Sequence, residues 1–347
     1  MIIKIYLFIF LYKIQMAQKL VLNIIKPDLT DAIDQTWSLK KITEECVPAS
    51  WEKVFEESEH EFKAISDILD KQEGMYGSYY PLKKDIFKAF RITKLSDIKV
   101  VIIGQDPYHQ AAQINGKIVP RAQGLAFSVD KDDSIPSSLM NIYKELEKSV
   151  HGFIKPDHGD LTEWSQREGV FLLNSCLTVR ANEAGSHGAI WTGFIYRVLR
   201  AIAAVNPTCI FLLWGREAQN VQSMVGEKSV VLCAPHPSGL SANRGFFGCN
   251  HFNLANEALK KQNKSGINWK LSSKYKLEDT KIVLNVQNNA PNTQTNNSTF
   301  LVKSQFLSKA DIPIIPNIPN ISNTTGLIIE LSDNPLKSEV VNIKTIK

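Results

Sequence analysis

Four stretches of nearly unbroken hydrophobicity punctuate the middle of the chain: KVVIIG (99–104), GVFLLNS (169–175), CIFLLWG (209–215) and SVVLCAP (229–235). None alternates between apolar and polar residues, so each reads as a strand of a parallel sheet covered on both faces. The first three alternate with segments of helical spacing. Leu139, Ile142, Tyr143 and Leu146 recur at i, i+3, i+4 and i+7, behind Ser137 and Ser138 as cap candidates. In DLTEWSQREG, Asp160 is a cap candidate with Glu163 three residues on, and Gly169 is a stop. TGFIYRVLRAIAAVNP sets Phe194, Val198, Leu199, Ile202 and Val205 on one face and breaks at Pro207. This alternation predicts an α/β fold: three α/β/α layers around a central four-stranded parallel sheet, in one domain spanning 49–276.

The flanks differ in kind. Residues 1–48 read as an N-terminal extension. Its apolar start, MIIKIYLFIFLYKIQM, is too short and too interrupted by Lys4 to span a bilayer. No small-residue cleavage site follows it, and its lack of Arg gives no support for mitochondrial targeting. From about Lys281 the chain turns Asn-rich, with QNNAPNTQTNNS and IPIIPNIPNISN, so residues 277–347 read as a low-complexity, disordered tail. GLIIELSD (326–333) is a strand-like apolar run inside it.

Composition adds little to this picture. Hydrophobic residues make up 44% and charged residues 22%, as in ordinary soluble globular proteins. A net charge of +5 suits a polyanionic partner without requiring one. The five cysteines, Cys46, Cys176, Cys209, Cys233 and Cys249, are odd in number and lack a C-x-x-C pair. Three of them lie in or beside apolar runs, as buried thiols do. They imply a reduced, intracellular protein without disulfides or structural zinc.

The chemistry gathers at the strand exits. The first run ends in Gln105-Asp106-Pro107-Tyr108-His109 and the second in Asn174-Ser175. The third ends in Trp214-Gly215 and the fourth in Pro235-His236-Pro237-Ser238. Ligands of open parallel sheets bind beyond the carboxyl ends of the strands. Asp106, Asn174 and His236 are therefore expected to converge. Taken singly, an Asp-Pro is a turn and a lone Asn satisfies backbone. Together, at one end of one sheet, they point to a pocket.

GQDPYH (104–109), GLAFSV (124–129), LLNSCLTVR (172–180) and HPSGLSANRGFFGCNHF (236–252) resemble, in order, the signature segments of the family 1 uracil-DNA glycosylases. The likeness runs from about Trp51 to Leu271 and ends in INWKL. It implies a DNA repair enzyme that flips uracil out of the duplex and hydrolyses its glycosidic bond, leaving an abasic site. It further implies that uracil stacks on Phe127, that the Asn174 amide reads O4 and N3, and that Tyr108 bars the thymine methyl. Gln105 would add contacts from the same turn. His236 would donate to uracil O2, while Asp106 stabilises the sugar cation and orients water, with His109 holding Asp106 and its loop. On the DNA side, Ser138, Ser238 and Ser241 would grip phosphates, Leu240 would fill the vacated stack, and Arg244 would contact the backbone.

No cofactor and no metal are implied. The expected partner is uracil-containing DNA, single- and double-stranded, met by a monomer wherever DNA is replicated (nucleus or cytoplasm) and not at a membrane. Replication or repair proteins would dock through the extensions. Two other readings have clear discriminators. A DNA-binding protein without turnover would have lost Asp106 or His236, and a thymine-mismatch glycosylase would carry Asn at 106 and lack Tyr108.

The chain also departs from the family pattern. QAAQINGKIVPRAQ (110–123) is longer than the usual link by roughly eight residues and carries Lys117 and Arg121; it is expected either to extend the DNA contact or to loop out, and the second reading is preferred. Gly239 stands where Pro is usual, Arg216 where Ser is usual, and Ser137 where Pro is usual.

Overall fold

The four apolar runs pair as strands Val100–Gly104, Val170–Asn174, Ile210–Trp214 and Val230–Ala234. They form one parallel sheet in the spatial order second, first, third, fourth. The computed structural model describes residues 29–274, and beyond them the backbone of 327–330 and 342–345. The described residues include all five cysteines, and none of them is joined in a disulfide.

Register explains the layers. Val101 is aligned with both Phe171 and Phe211, so these three side chains share one face. On that face Trp51 stacks on Phe171 at 5.2 Å, and Phe90 meets the same ring edge-on at 5.3 Å. Phe55, Phe62, Phe87 and Phe194 extend this aromatic cluster, drawing in helices Glu52–Glu56, Glu59–Tyr76 and Thr192–Val205. Trp214 lies three residues beyond Phe211 and so faces the other way. It packs edge-on against Phe246 and Phe252, at 5.3 and 5.9 Å, and Phe252 lies on helix His251–Lys261.

Several expectations need correction. The fourth strand is not covered on both faces: Val230, Val231 and Leu232 are half-buried and Cys233 is exposed, whereas the second strand, at the opposite edge of the sheet, is buried throughout. The helix Ser137–Ser149 begins behind Pro136, whose carbonyl accepts the Met140 N–H at 2.8 Å. Ser137 and Ser138 are therefore its first residues and do not cap it. Asp160 does bond the start of the next helix, Thr162–Glu168, accepting the Thr162 N–H at 2.9 Å, and Gly169 closes that helix at φ 72°. Val205, at the end of its helix, is 51% exposed, so that apolar stripe ends at Ile202.

The packed core also reaches into the segment read as an extension. Leu39 and Ile42, on helix Leu39–Glu45, are fully buried, and Ser38 caps that helix by accepting the Lys41 N–H. The apolar start of the chain lies outside the described residues. So does most of the Asn-rich tail, where strand Leu327–Glu330 pairs antiparallel with Asn342–Thr345.

The insertion is no open loop. Ala111–Ile114 and Lys117–Pro120 pair antiparallel as a hairpin. Its two turn residues, Asn115 and Gly116, both have positive φ (49° and 76°). An Asn-Gly pair supplies the type I′ turn whose twist matches that of the flanking strands.

Candidate active site

The first two strands end side by side, with Gly104 aligned to Asn174. Beyond that point the chain is stapled to its neighbour. Ser175 N–H donates to Gly104 O at 2.9 Å, while Cys176 N–H and the Ser175 hydroxyl both donate to Gln105 O, at 3.0 and 2.8 Å. Asn174 is 7% exposed, and its Oδ1 lies only 2.2 Å from where a Cβ on Gly104 would be. A residue without a side chain is needed there so that the amide can cross the strand exit.

Asp106 is half-buried, and its Oδ2 accepts the backbone N–H of Gly185 at 2.7 Å. His109 makes its bonds elsewhere. Its carbonyl accepts the Asn182 N–H at 2.7 Å and its Nε2 meets Gln110 Nε2 at 2.9 Å, while its buried Nδ1 has no partner. The segment 182–185 thus fixes the turn at both ends. Nothing in the periodicity points to Gly185.

Phe127 has φ 64°, in the left-handed region that a bulky side chain rarely enters. Its neighbours over-determine the conformation. Ala126 N–H donates to Leu172 O at 3.2 Å, Ser128 N–H to Leu125 O at 3.3 Å, and the Tyr108 hydroxyl to Phe127 O at 3.3 Å. Strain of this kind gathers at ligand clamps. The Phe127 ring lies 5.6 Å from that of Trp214 and 5.9 Å from that of His236. Burial pushes the Tyr108 phenol well above its usual range, so the hydroxyl remains a donor.

His236 follows the fourth strand. Burial lowers its pKa, and the Ser238 backbone N–H donates to its Nδ1 at 3.0 Å. The imidazole is therefore neutral at pH 7, with its proton on Nε2. Asp106 and Asn174 meet through the paired exits of two strands, and Tyr108, Phe127 and His236 through ring and hydroxyl contacts. This is a carboxylate, an amide, an aromatic platform and a neutral imidazole donor at one end of one sheet.

Comparison with known proteins accords with this geometry. Residues 90–260 match the Uracil DNA glycosylase superfamily. The uracil-DNA glycosylase of Escherichia coli K12 is 48% identical over 202 residues, covering 58% of this chain and 83% of that protein. The chain belongs to the uracil-DNA glycosylase superfamily. The enzyme of that name from Shigella flexneri serotype 5b is equally similar, 48% identical over the same length. The crystal structure of mimivirus uracil-DNA glycosylase superposes with a TM-score of 0.60 at 31% identity, covering 64% of this chain and 87% of that one.

Within this glycosylase fold, the segment after His236 is built as a braced tip. The Ser241 hydroxyl donates to His236 O at 2.7 Å and lies 2.9 Å from the Ser238 hydroxyl. Between them Leu240 is 87% exposed, and Gly239 has open space around it. Arg244 is exposed one short turn later. Asn141 ties this tip to helix Ser137–Ser149 by donating to Pro237 O at 2.8 Å, which places Ser138 one helical turn from the contact. The buried Glu145 carboxylate on the same helix accepts N–H groups from Gly248 at 2.7 Å and Asn250 at 3.0 Å. In the sequence, Asn141 and Glu145 look like the polar face of an amphipathic helix. Among the described residues, no group of His, Cys, Asp and Glu could hold a metal ion, and no helix is long and apolar enough to cross a membrane.

Proposed function

We propose that this chain is a uracil-DNA glycosylase that hydrolyses the N-glycosidic bond of a flipped uridine and leaves an abasic site. The observation that carries the assignment of roles is the Ser238 N–H at His236 Nδ1, because it leaves a donor, Nε2–H, for the departing base. Flipping costs a few kcal/mol, which stacking on Phe127 and hydrogen bonds to the uracil edge must offset. The Asn174 amide offers a donor for O4 and an acceptor for the N3 proton. Cytosine presents the reverse pattern and would leave buried groups unpaired. The Tyr108 ring excludes the methyl at C5, and Gln105 adds contacts from the same turn.

As the C1′–N1 bond breaks, its electron pair goes to the base, and His236 stabilises the charge at O2 by a hydrogen bond. Asp106 faces the sugar cation. With Oδ2 held by Gly185, its carboxylate orients the water that adds to C1′ and takes the proton that water releases. His109 supports the loop through its carbonyl. Ser138, Ser238 and Ser241 take phosphates, Arg244 adds a backbone contact, and Leu240 enters the gap left in the stack. No cofactor enters the reaction.

The enzyme acts as a monomer on single- and double-stranded DNA inside the cell. Residues 49–276 are its catalytic domain, buttressed by the helix at 39–45, and the flanking segments serve repair or replication partners. The test is release of free uracil from a dU-containing oligonucleotide, with dT and dC oligonucleotides as controls. No uracil release, or equal release of thymine or cytosine, would overturn the assignment.

A further inference from the structure

We propose that the hairpin 111–120 is a second DNA-contacting element, its tip seated on duplex flanking the flipped nucleotide; this rests on the glycosylase reading above. The hairpin leaves the pocket wall directly after His109, and the Arg121 N–H donates to Gln110 O at 3.1 Å to close its base. Two polar braces hold it against the segment that leads into helix Ser137–Ser149. The Arg121 guanidinium binds Asp133 at 2.8 Å and the Ser134 hydroxyl, and Asn115 Nδ2 donates to Asp132 Oδ2 at 3.1 Å. That helix carries Ser138, and its Asn141 holds the Leu240 tip. The hairpin, the serine grips and the wedge are therefore mounted on one connected rim.

The chemistry of the tip fits a nucleic-acid backbone. Lys117 is exposed and, among the described residues, has no ion-pair partner. The nearby carboxylates are already engaged: Asp133 by Arg121, Asp132 by Lys274 and Asn115, and Asp130 by the Asp132 N–H. A cation at the tip thus remains for an external phosphate. Beside it Ile118 is 81% exposed, and among the described large hydrophobic residues only Leu240, at 87%, is more exposed. Each strand of four residues spans about 13 Å, so the tip reaches DNA several nucleotides from the pocket. A phosphate meets Lys117 there, and the sugar edge of a groove covers Ile118. A strand of a few nucleotides ends before it.

The single variants Lys117→Ala and Ile118→Ser change exposed side chains and leave the hairpin braces intact. Steady-state kinetics would be measured for each on a duplex of about 30 base pairs with one central dU and on a single strand of about five nucleotides, at salt from about 50 to 200 mM. The expected result is a fall of roughly three- to ten-fold in the ratio of duplex to short-strand kcat/KM, carried by KM. For Lys117→Ala, the slope of log(kcat/KM) for the duplex against log salt should become shallower by about one. Unchanged ratios and slopes in both variants would overturn the proposal. A wild-type chain that releases uracil from neither substrate would overturn the glycosylase reading instead.

Discussion

Ser238 donates its backbone N–H to His236 Nδ1 at 3.0 Å, which makes His236 a donor through Nε2. Burial lowers the pKa of this imidazole from its ordinary 6.5. The neutral ring therefore persists as pH falls through 6.5, and the acid limb of kcat due to His236 should lie below that value. His236→Leu should lower kcat by roughly 10²–10³-fold, as loss of a donor to developing negative charge does elsewhere, and should abolish that limb. A kcat profile from pH 4 to 8 on both proteins checks it. A wild-type limb at or above 6.5 that survives in the variant would assign the titration to another group.

Asp106→Asn keeps an oxygen for the Gly185 N–H but removes the negative charge and the base. Turnover should fall by roughly 10²–10⁴-fold. Affinity for uracil-containing DNA should change little, because the lost interactions develop only in the transition state. Single-turnover kinetics and a binding titration on the same duplex separate the two effects, and near-normal turnover would remove Asp106 from the reaction.

Gly104→Ala tests the crossing of the strand exit. The new methyl would lie 2.2 Å from Asn174 Oδ1, so the amide must move or the strands must part. Either outcome misplaces the group that reads the uracil edge, and misplacement by about 1 Å can cost on the order of 10²-fold in rate. The expected variant is folded by circular dichroism, with strongly reduced kcat/KM for uracil and weaker inhibition by free uracil. Wild-type kinetics would show that Asn174 does not need this approach.

What was legible in the sequence follows from the range over which each feature is encoded. The first three strands are apolar up to their exits, so composition alone marks them, and those exits carry Asp106, Asn174 and Trp214. The fourth strand has the same composition, and no local signal shows that its faces are only partly covered. The Gly185–Asp106 and Asn141–Pro237 bonds join residues 79 and 96 positions apart, so each exists only once the fold has formed. The positive φ of Phe127 runs against the propensity of its residue type and is imposed by the strand beside it. The Asn115-Gly116 turn is different. It is a local hairpin signal, because an Asn-Gly pair reaches two successive positive φ values without help from the rest of the fold.

Two buried histidines outside the pocket set an acid limit on stability. Burial, helped by the charge of Arg180, lowers the His187 pKa to about 4. Burial also lowers His251 to about 4, and its Nδ1 accepts the Trp214 indole N–H. Between pH 6.5 and 4 the unfolded chain takes up protons at these positions and the folded chain does not. Stability from this source is therefore complete above about 6.5 and declines as pH falls toward 4, by at most roughly 3 kcal/mol per histidine. Urea unfolding at pH 7, 6 and 5 should show the decline, and His251→Gln, which keeps an acceptor for Trp214, should flatten it. An equal slope in both proteins would mean that His251 is protonated in the folded state.

The exposed Leu240 and its neighbour Gly239 allow the wedge to be tested from both sides. Leu240 must occupy the stack as the nucleotide leaves, and a loop already held in that shape loses less freedom on binding. The serine hydroxyls on either side of the tip and the Asn141 amide hold its base, but Gly239 has open space where a Cβ would be and no positive φ. A Cβ there meets no atom within 4 Å, and a proline narrows the conformers of the free loop, for roughly 0.4–1 kcal/mol when its geometry is compatible. Gly239→Pro should therefore tighten binding to duplex uracil DNA by several-fold at most, with little change on single strands, where no stack must be filled. Leu240→Ala should act in the opposite sense and cost more kcat/KM on duplex than on single-stranded substrate. Side-by-side kinetics on matched oligonucleotides check both variants. Equal losses on the two substrates for Leu240→Ala would mean that the side chain supports the loop and does not enter the stack.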